Sequence, residues 1–354
     1  MLRGVVARIG IDGLMISPRG KGHARTERHA VEALAARDEH ELVVFVREPG
    51  AEELLAGTGA QTVRVTERWT VDWELRGVVR ASRRNGLDAI LTLTERLPLL
   101  AGPPVVVWLF ESPLHRIRQN RSSGAPVRWR ASDLVTSMLW RRSLGRAAHV
   151  AMGSEATERE VLAEVPQLAG RTSVVHPGLP PGFGPGPAPD RGRYVFHLGS
   201  SDTRDNTAAA IEACRRAGVR LLVAGDARIA GDGADVTFLG RVTDEELVAL
   251  YRGAAAYLDP SLFEGFGYGI LEAMASGAPV VASNVTSIPE VAGDAALLCD
   301  PNSPDQLAAA LRRVLDEPGL ADRMRDRGFE RASRFTWERT GEGLSSALSR
   351  ALTS

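Results

Sequence analysis

HPGLPPGFGPGPAPDRG, residues 176–192, holds six prolines and five glycines. Proline lacks the backbone N–H that helices and sheet ladders need, and glycine loses more conformational freedom on ordering than any other residue. The stretch therefore predicts an interdomain linker, which we place at residues 177–192. It divides the chain into a first domain of residues 1–176 and a second domain of residues 193–335, with a final helix over 336–354.

Short β-branched runs alternate with amphipathic helical stretches on both sides of this linker. Examples are ELVVFV (41–46) and PPVVVWLF (103–110) before it, and VRLLVAGD (219–226) and AAYLDPS (255–261) after it. Most of these runs are continuously apolar, as in parallel strands covered on both faces. The pattern predicts two doubly wound, Rossmann-like α/β domains. Such sheets bind ligands at the carboxyl ends of their strands, so we expect the two crevices to face each other across one cleft.

The composition is that of an ordinary globular protein, with 44% hydrophobic residues, 25% charged residues and a net charge of −1 over 354 residues. This near-neutral balance argues against general nucleic-acid binding. Arg3, Arg8 and Asp12 interrupt the N-terminal stretch, which therefore predicts neither a signal peptide nor a transmembrane segment. Two widely separated cysteines, Cys214 and Cys299, are expected to be unpaired, which is consistent with a cytoplasmic location.

Common cofactor motifs are missing from the sequence. GKGHAR (20–25) and GFGYGI (265–270) both lack the third glycine of the dinucleotide fingerprint, and no P-loop occurs. A Schiff-base enzyme would have to use Lys21, the single lysine. Zinc-ligand spacings of the CxxC or HExxH kind are also absent. The sequence therefore predicts neither a cofactor nor a metal ion.

FEGFGYGILE, residues 263–272, is the most informative motif of the second domain. It follows one predicted strand and opens a helix, and two glutamates, Glu264 and Glu272, bracket three glycines. Glycines let backbone N–H groups approach an anion, and a helix N-terminus favours phosphate. Carboxylates accept hydrogen bonds from hydroxyls. The motif suits a nucleotide sugar, and the alternative is a glycine-rich turn with two surface acids.

Residues 199–337 resemble glycosyltransferase family 4, retaining enzymes with the GT-B fold. The resemblance lies in FLGRVTDEELVALYRGA, PSLFEGFG, LEAMASGAPVVASNVTSIPEVAGDAALLCDP and RFTWERT. VVHPGLPPGF resembles the family's linker and SPRGKGHARTERHAVEAL its N-terminal glycine loop, while residues 47–148 match weakly. The resemblance implies a nucleotide-sugar-binding second domain, an acceptor-side first domain and a last helix that crosses back to the first domain.

The resemblance also implies the role of individual residues. Glu272 is expected to hold the ribose hydroxyls of the donor, and Glu264 a hydroxyl of its sugar. Arg204 is expected to pair with the diphosphate as negative charge develops on the leaving group. The remaining expected donor-binding residues act largely through backbone groups: Gly267, Tyr268, Gly269 and Ile270 at the sugar and phosphates, Gly240, Arg241 and Val242 at the base, Gly199 beside the donor, and Gly20, Lys21 and Gly22 in the loop across the cleft.

Two positions depart from the family. The family lysine after the arginine is Asp205 here, and Asp205 can also be interpreted as the cap of a helix that starts DNTAAAIEACRRAG. Where the family has histidine and aspartate, this chain has Glu111 and Ser112, which makes Glu111 a candidate catalytic residue. We expect Lys21 or Arg25 to replace the missing phosphate-binding cation.

The stretch HRIRQNRSSGAPVRWR, residues 115–130, is rich in arginine and has three open interpretations. It is a loop that meets an anionic or hydroxylated acceptor, a contact with a membrane surface, or a solvated loop.

Together these features predict a metal-independent retaining glycosyltransferase that moves a sugar from a nucleoside diphosphate to an acceptor hydroxyl, in natural-product or cell-envelope glycosylation. A non-catalytic GT-B protein that binds a nucleotide or glycan and supports a partner is the alternative from another class. A nucleotide-sugar epimerase of the same shape has no feature that favours it.

Overall fold

The computed structural model describes residues 6–18, 20, 22–66, 72–93, 102–112, 127–187, 194–227 and 235–353. It divides the chain into two compact units. Unit 1 comprises Met1–Gly178 and Trp337–Ser354, and unit 2 comprises Leu179–Thr336. Unit 1 is therefore discontinuous in the chain, whereas unit 2 is continuous.

Unit 1 contains a seven-stranded parallel sheet in the order β3-β2-β1-β4-β5-β6-β7. Its strands are β1 (Ala7–Asp12), β2 (His40–Val46), β3 (Gln61–Arg64), β4 (Ala89–Thr92), β5 (Val105–Leu109), β6 (His149–Met152) and β7 (Thr172–Val174). The connecting helices are α1 (His23–Ala35), α2 (Ala51–Leu54), α3 (Val78–Asn85, preceded by a π-helical turn over Trp73–Gly77), α4 (Val127–Leu144) and α5 (Glu155–Glu164).

Unit 2 contains a six-stranded parallel sheet in the order β10-β9-β8-β11-β12-β13. Its strands are β8 (Tyr194–Leu198), β9 (Arg220–Ala224), β10 (Val236–Gly240), β11 (Ala256–Asp259), β12 (Val280–Ser283) and β13 (Ala296–Cys299). Its helices are α6 (Thr207–Ala217), α7 (Asp244–Gly253), α8 (Tyr268–Ser276), α9 (Ile288–Ala292), α10 (Pro304–Asp316) and α11 (Leu320–Ala332). Thr243 and Glu246 form a capping box at the start of α7.

Both sheets are doubly wound, which confirms the predicted fold class. The central strands β4, β6, β11 and β12 are buried along their whole length, as continuous apolar runs require. Strand order reverses between β1 and β4 in unit 1 and between β8 and β11 in unit 2. Each of these switch points leaves a crevice at the carboxyl ends of the two strands, where ligands of such folds bind.

The proline-rich stretch predicted as a linker lies largely on unit 2. Leu179 donates its N–H to the carbonyl oxygen of Phe335, 2.9 Å away. Phe183 is buried, with its ring centroid 6.2 Å from that of Tyr251. Arg252 donates its guanidinium N–H groups to the carbonyl oxygen of Gly184. Residues 179–187 are thus held by specific contacts within unit 2, and residues 188–193 lie outside the described part of the chain.

The last helix, α12 (Trp337–Thr353), packs against α1 in unit 1. A Cβ atom at Gly341 would lie only 2.7 Å from the carbonyl oxygen of Ala33, so the two helices approach closely. The Trp337 ring lies 5.0 Å from the imidazole of His29. Thr340 donates its hydroxyl to the carbonyl oxygen of His176, 2.8 Å away.

Candidate active site

The candidate site forms at the switch point of unit 2, where β8 and β11 end side by side. The loop after β8 carries Arg204, and the loop after β11 carries Glu264. The N–H of Leu262 donates to the carbonyl oxygen of Arg204 at 2.7 Å, and the Asn206 side chain donates to the carbonyl oxygen of Pro260 at 3.0 Å. These bonds join the two loops, so the fold brings two of the predicted catalytic residues to one place.

Arg204 lies in a short 3₁₀ turn over Thr203–Asp205 and its side chain is largely buried. The guanidinium donates to Oδ2 of Asp202, with Nη2 2.7 Å and Nε 2.9 Å away. Its ζ carbon lies 5.8 Å from the centroid of the Phe263 ring. A carboxylate and an aromatic face therefore fix the cation before any donor binds.

Asp205 does not cap a helix, contrary to the sequence interpretation. The 3₁₀ turn intervenes, so α6 begins at Thr207 and Asn206 occupies the N-cap position. The Asp205 carboxylate instead accepts the N–H of Ser200 at 2.6 Å. Burial raises the pKa of this carboxyl above its ordinary value. Asp205 thus stabilises the loop after β8 and adds negative charge where the family lysine would supply positive charge.

Three glycines bring bare backbone together at the ends of β8, β9 and β10. Gly199 donates its N–H to Ala224, and Gly225 donates to the carbonyl oxygen of Gly240 at 2.8 Å. Gly225 has a φ of 112°, and a Cβ atom there would lie 2.0 Å from the carbonyl oxygen of Gly199. Only glycine fits such an approach. Gly225 was not predicted as a site residue, although AGD directly after a strand is a signal that could have identified it.

The turn after β10 contains the residues expected to hold the base. The Arg241 side chain is exposed, and its Nη2 lies 3.7 Å from Oδ2 of Asp226. Val242 follows in the same turn and is half-buried. Asp226, which the sequence prediction also missed, accepts the N–H of Ser201 at 3.1 Å and so connects this turn to the loop after β8.

Glu264 is half-buried and surrounded by other acids. Burial and then the charges of Asp259 and Asp205 raise the pKa of Glu264 to about 8, and the Arg204 charge opposes this rise. The ionised form therefore needs additional stabilisation at neutral pH. A donor group that supplies hydroxyl hydrogen bonds would provide it.

Glu272 lies deeper, buried within α8. The phenol of Tyr251 donates to its Oε2 at 3.4 Å. Tyr251 packs edge-on against Tyr257, with 5.2 Å between ring centroids, and Tyr257 donates to Oδ2 of Asp259 at 3.3 Å. Burial and the neighbouring acids raise the pKa of both phenols, so each stays a neutral hydrogen-bond donor. This buried network orients the carboxylates of Glu272 and Asp259.

The first turn of α8 follows a glycine in a left-handed backbone conformation. Gly267 precedes the helix with a φ of 103°, a conformation that side chains disfavour. A Cβ atom at Gly269 would lie 2.5 Å from the Tyr257 hydroxyl, so α8 packs tightly on β11. The amides of Tyr268, Gly269 and Ile270 form the first turn, where the helix dipole favours an anion.

The predicted site residues of unit 1 lie on other loops. Glu111 follows β5 and is half-buried. Gly20 donates its N–H to the carbonyl oxygen of Ser17, and Gly22 caps α1. Arg25 lies in the first turn of α1. Lys21 and residues 115–126 of the arginine-rich stretch lie outside the described residues.

The described residues contain no group of three or more His, Cys, Asp or Glu side chains that could hold a metal ion. Among the helices that the structure describes, none has the length and hydropathy to cross a bilayer.

Comparison with known proteins shows sequence similarity in unit 2. Residues 184–331 match the family model described as Glycosyl transferases group 1. Over 103 residues, 29% of this chain, the sequence is 47% identical to the O-antigen chain mannosyltransferase B of Escherichia coli. The match spans only 27% of that relative's length. These similarities support a glycosyltransferase.

Similarity of structure extends over both units. Sucrose-phosphate synthase from Thermosynechococcus elongatus superposes with a TM-score of 0.78 at 20% identity, covering 98% of this chain and 99% of the other. Anabaena HepE in complex with UDP-glucose superposes with a TM-score of 0.71 at 18% identity, covering 97% and 99%. Identities this low establish a shared fold, the GT-B fold.

Proposed function

We propose that the protein is a retaining glycosyltransferase of family 4 that transfers a sugar from a nucleoside-diphosphate donor to an acceptor hydroxyl without a metal ion. The observation that carries the proposal is the switch point of unit 2. There, Arg204 and Glu264 lie on two hydrogen-bonded loops, and Glu264 precedes the N-terminus of α8, the helix that contains buried Glu272. A cation, an anion-binding helix end and two hydroxyl acceptors together suit a sugar diphosphate.

The nucleoside, the diphosphate and the sugar of the donor would each bind to a different part of the site. Glu272 accepts hydrogen bonds from the ribose hydroxyls, and the turn around Gly240 meets the base. The first-turn amides of α8 and the Arg204 guanidinium bind the diphosphate. Glu264 accepts a hydroxyl of the transferred sugar, which stabilises its ionised form in spite of the acids around it.

The transfer step requires little protein acid–base chemistry. The bond between the sugar's anomeric carbon and the phosphate oxygen breaks, and the acceptor oxygen bonds to that carbon on the same face. The acceptor proton passes to the departing phosphate oxygen. Arg204 stabilises the negative charge on that phosphate, an effect that reaches about 2.7–4 kcal/mol per preorganised donor in other enzymes. The proposal also includes Glu111 as a group on the acceptor side and the loop that contains Lys21 as a group that faces the donor phosphates.

The sugar, the acceptor and the pathway are part of the proposal. The E. coli relative is by its name a mannosyltransferase of the O-antigen chain, which favours an envelope glycan. The HepE structure contains UDP-glucose. GDP-mannose and UDP-glucose are therefore the first donors to test.

A panel of UDP-, GDP- and dTDP-sugars tests the proposal by thermal stabilisation. A ligand at 100 times its Kd stabilises the fold by about 2.7 kcal/mol, which a melting curve detects. Donors that stabilise the protein are then incubated with hydroxylated acceptors, and release of the nucleoside diphosphate and the anomeric configuration of the product are measured. No stabilisation by any nucleotide sugar would overturn the proposal.

A non-catalytic nucleotide-binding protein is the second candidate. Asp205 favours it, because this acid takes the place of a phosphate-binding lysine and its charge helps to raise the pKa of Glu264. Stabilisation by a donor without release of nucleoside diphosphate, for every acceptor offered, would identify that function instead.

A further inference from the structure

Thr286 has a backbone conformation that its residue type disfavours. Among the described residues other than glycine, Asp38, Asn206 and Thr286 have positive φ values. Asparagine and aspartate tolerate this left-handed region, whereas a β-branched residue clashes there. Thr286 has a φ of 53° and follows β12. Strain of this kind persists only where surrounding contacts hold the residue in place.

The contacts of Thr286 lead directly to the candidate site. Its Oγ1 accepts the backbone N–H of Glu264 at 3.0 Å. The next residue, Ser287, is fully buried and donates its hydroxyl to the carbonyl oxygen of Glu264 at 2.8 Å. Ser283, at the end of β12, donates to the carbonyl oxygen of Ser261 at 2.6 Å. The loop between β12 and α9 therefore holds the backbone on both sides of the Glu264 side chain.

Holding these two groups fixes the direction in which the Glu264 side chain leaves the backbone. The N–H and C=O of a residue flank its Cα atom, so anchoring both of them defines the direction of the Cα–Cβ bond from which the carboxyl extends. Glycine at position 286 would adopt the same backbone conformation without strain. It would offer no hydroxyl, however, and the Glu264 N–H would lose its acceptor.

We propose that Thr286 is a positioning residue whose strained backbone aims its hydroxyl at Glu264, and that Ser287 completes the same clamp. The inference rests on the proposed function, in which Glu264 binds the sugar of the donor. The clamp would fix the carboxyl at the sugar hydroxyl without touching the nucleotide itself. Its loss is therefore expected to affect turnover and sugar recognition and to spare nucleoside-diphosphate affinity.

Three substitutions separate the hydroxyl from the strain. Thr286→Ser keeps the acceptor, Thr286→Val keeps the β-branched shape without it, and Thr286→Gly removes both strain and acceptor. We expect kcat within about twofold of the wild type for the serine variant and roughly tenfold lower for the other two, because small displacements of a positioned group are costly. Asn284→Ala, an exposed residue of the same loop, is the matched control and should behave as wild type.

The glycine variant distinguishes positioning from a purely structural role. The valine and glycine variants lose the same acceptor, but only the valine variant keeps the strained backbone, so the glycine variant should have the higher Tm of the two while kcat falls in both. Wild-type kcat in both the valine and glycine variants would overturn the inference, and so would a parallel loss of nucleoside-diphosphate affinity measured by calorimetry.

Donor-free crystal structures of the wild type and Thr286→Val keep this test separate from the proposed function. We expect the Glu264 peptide to turn away from residue 286 in the variant. If the wild type transfers no sugar, the proposed function fails, and these structures still decide the positioning role. An unmoved Glu264 in the variant would overturn the role whatever the activity.

Discussion

The switch points of the two units use their acids in different ways. In unit 1, Glu27 is buried and its Oε2 accepts the N–H of Met15 at 3.1 Å. This carboxylate therefore holds the loop that follows β1. Asp12, at the end of β1, accepts the Thr92 hydroxyl in the same crevice. In unit 2, hydroxyls from the loop after β12 hold the backbone of Glu264, and its carboxyl lies near Arg204.

This difference separates an acid that holds a loop from an acid whose own backbone is held by other groups. Burial raises the pKa of Glu27 and of Glu264, so a shifted pKa alone does not tell them apart. The distinguishing feature is which group holds the backbone. Hydroxyl groups hold the loop of Glu264, which leaves its carboxyl available for a ligand. The nearby Arg204 cation can bind an anionic part of the same ligand.

Among the substitutions that test this comparison, Arg204→Gln should have the largest effect on activity. Removing the cation leaves the departing phosphate without its charged donor, so kcat/KM should fall about 100-fold. Arg215→Gln, an exposed arginine of α6 paired with Glu212, is the control and should stay near the wild-type value. The measurement is initial-rate release of nucleoside diphosphate. A loss below threefold for Arg204→Gln would show that this cation does not serve the reaction.

Glu27→Ala should act on stability alone. The Met15 N–H loses its acceptor inside the protein, which costs about 1–3 kcal/mol of unfolding free energy. Urea unfolding measures this loss, and calorimetry measures donor affinity at a temperature where the variant remains folded. A tenfold weaker donor affinity in the folded variant would contradict the distinction between Glu27 and Glu264, because Glu27 would then also contribute to binding.

Glu272→Ala should weaken donor binding roughly tenfold, because the ribose loses a charged acceptor. Glu272→Gln keeps a partner for the Tyr251 phenol and should show the same direction with less loss of stability. Glu264→Ala is the counterpart, with reduced turnover and sugar selectivity but unchanged nucleoside-diphosphate affinity. Calorimetry with the nucleoside diphosphate and with the full donor compares them. Equal affinity losses at both positions would contradict their separate roles.

The last prediction concerns pH. The fold raises the pKa of Glu264 from 4.5 to about 8, so the donor-free protein should lose stability as pH rises between these values. The sign follows because the unfolded chain releases its proton first and ionisation then favours unfolding. Glu264→Gln cannot titrate, and its Tm should decline less over that range. Parallel Tm curves for both proteins would show that Glu264 titrates normally.

The strands and the two glutamates could be predicted because their signals are local. PPVVVWLF (103–110) contains β5, and AAYLDPS (255–261) contains β11, since largely apolar runs indicate buried parallel strands. FEGFGYGILE places Glu264 and Glu272 around a helix start within ten residues. Both signals need only neighbouring residues.

The residues that position the site could not be predicted in the same way. Thr286 meets Glu264 across 22 positions, and only the folded sheet brings them together. The 3₁₀ turn at Asp205 also has no sequence signal that distinguishes it from the first turn of α6. The motif therefore pointed to Glu264 and Glu272, whereas only the folded structure shows the long-range contact that Thr286 makes with Glu264.

The return of α12 to unit 1 has a consequence for how the chain folds as it is synthesised. Unit 2 is one continuous segment, so all of its strands are synthesised before residue 337 is added. Unit 1 must wait for Trp337–Thr353 to cover α1. Domains tend to fold in the order of synthesis, yet here the unit that starts earlier in the chain is completed later. Until residues 337–353 are added, the chain contains every strand of unit 2 but lacks the helix that covers α1 in unit 1.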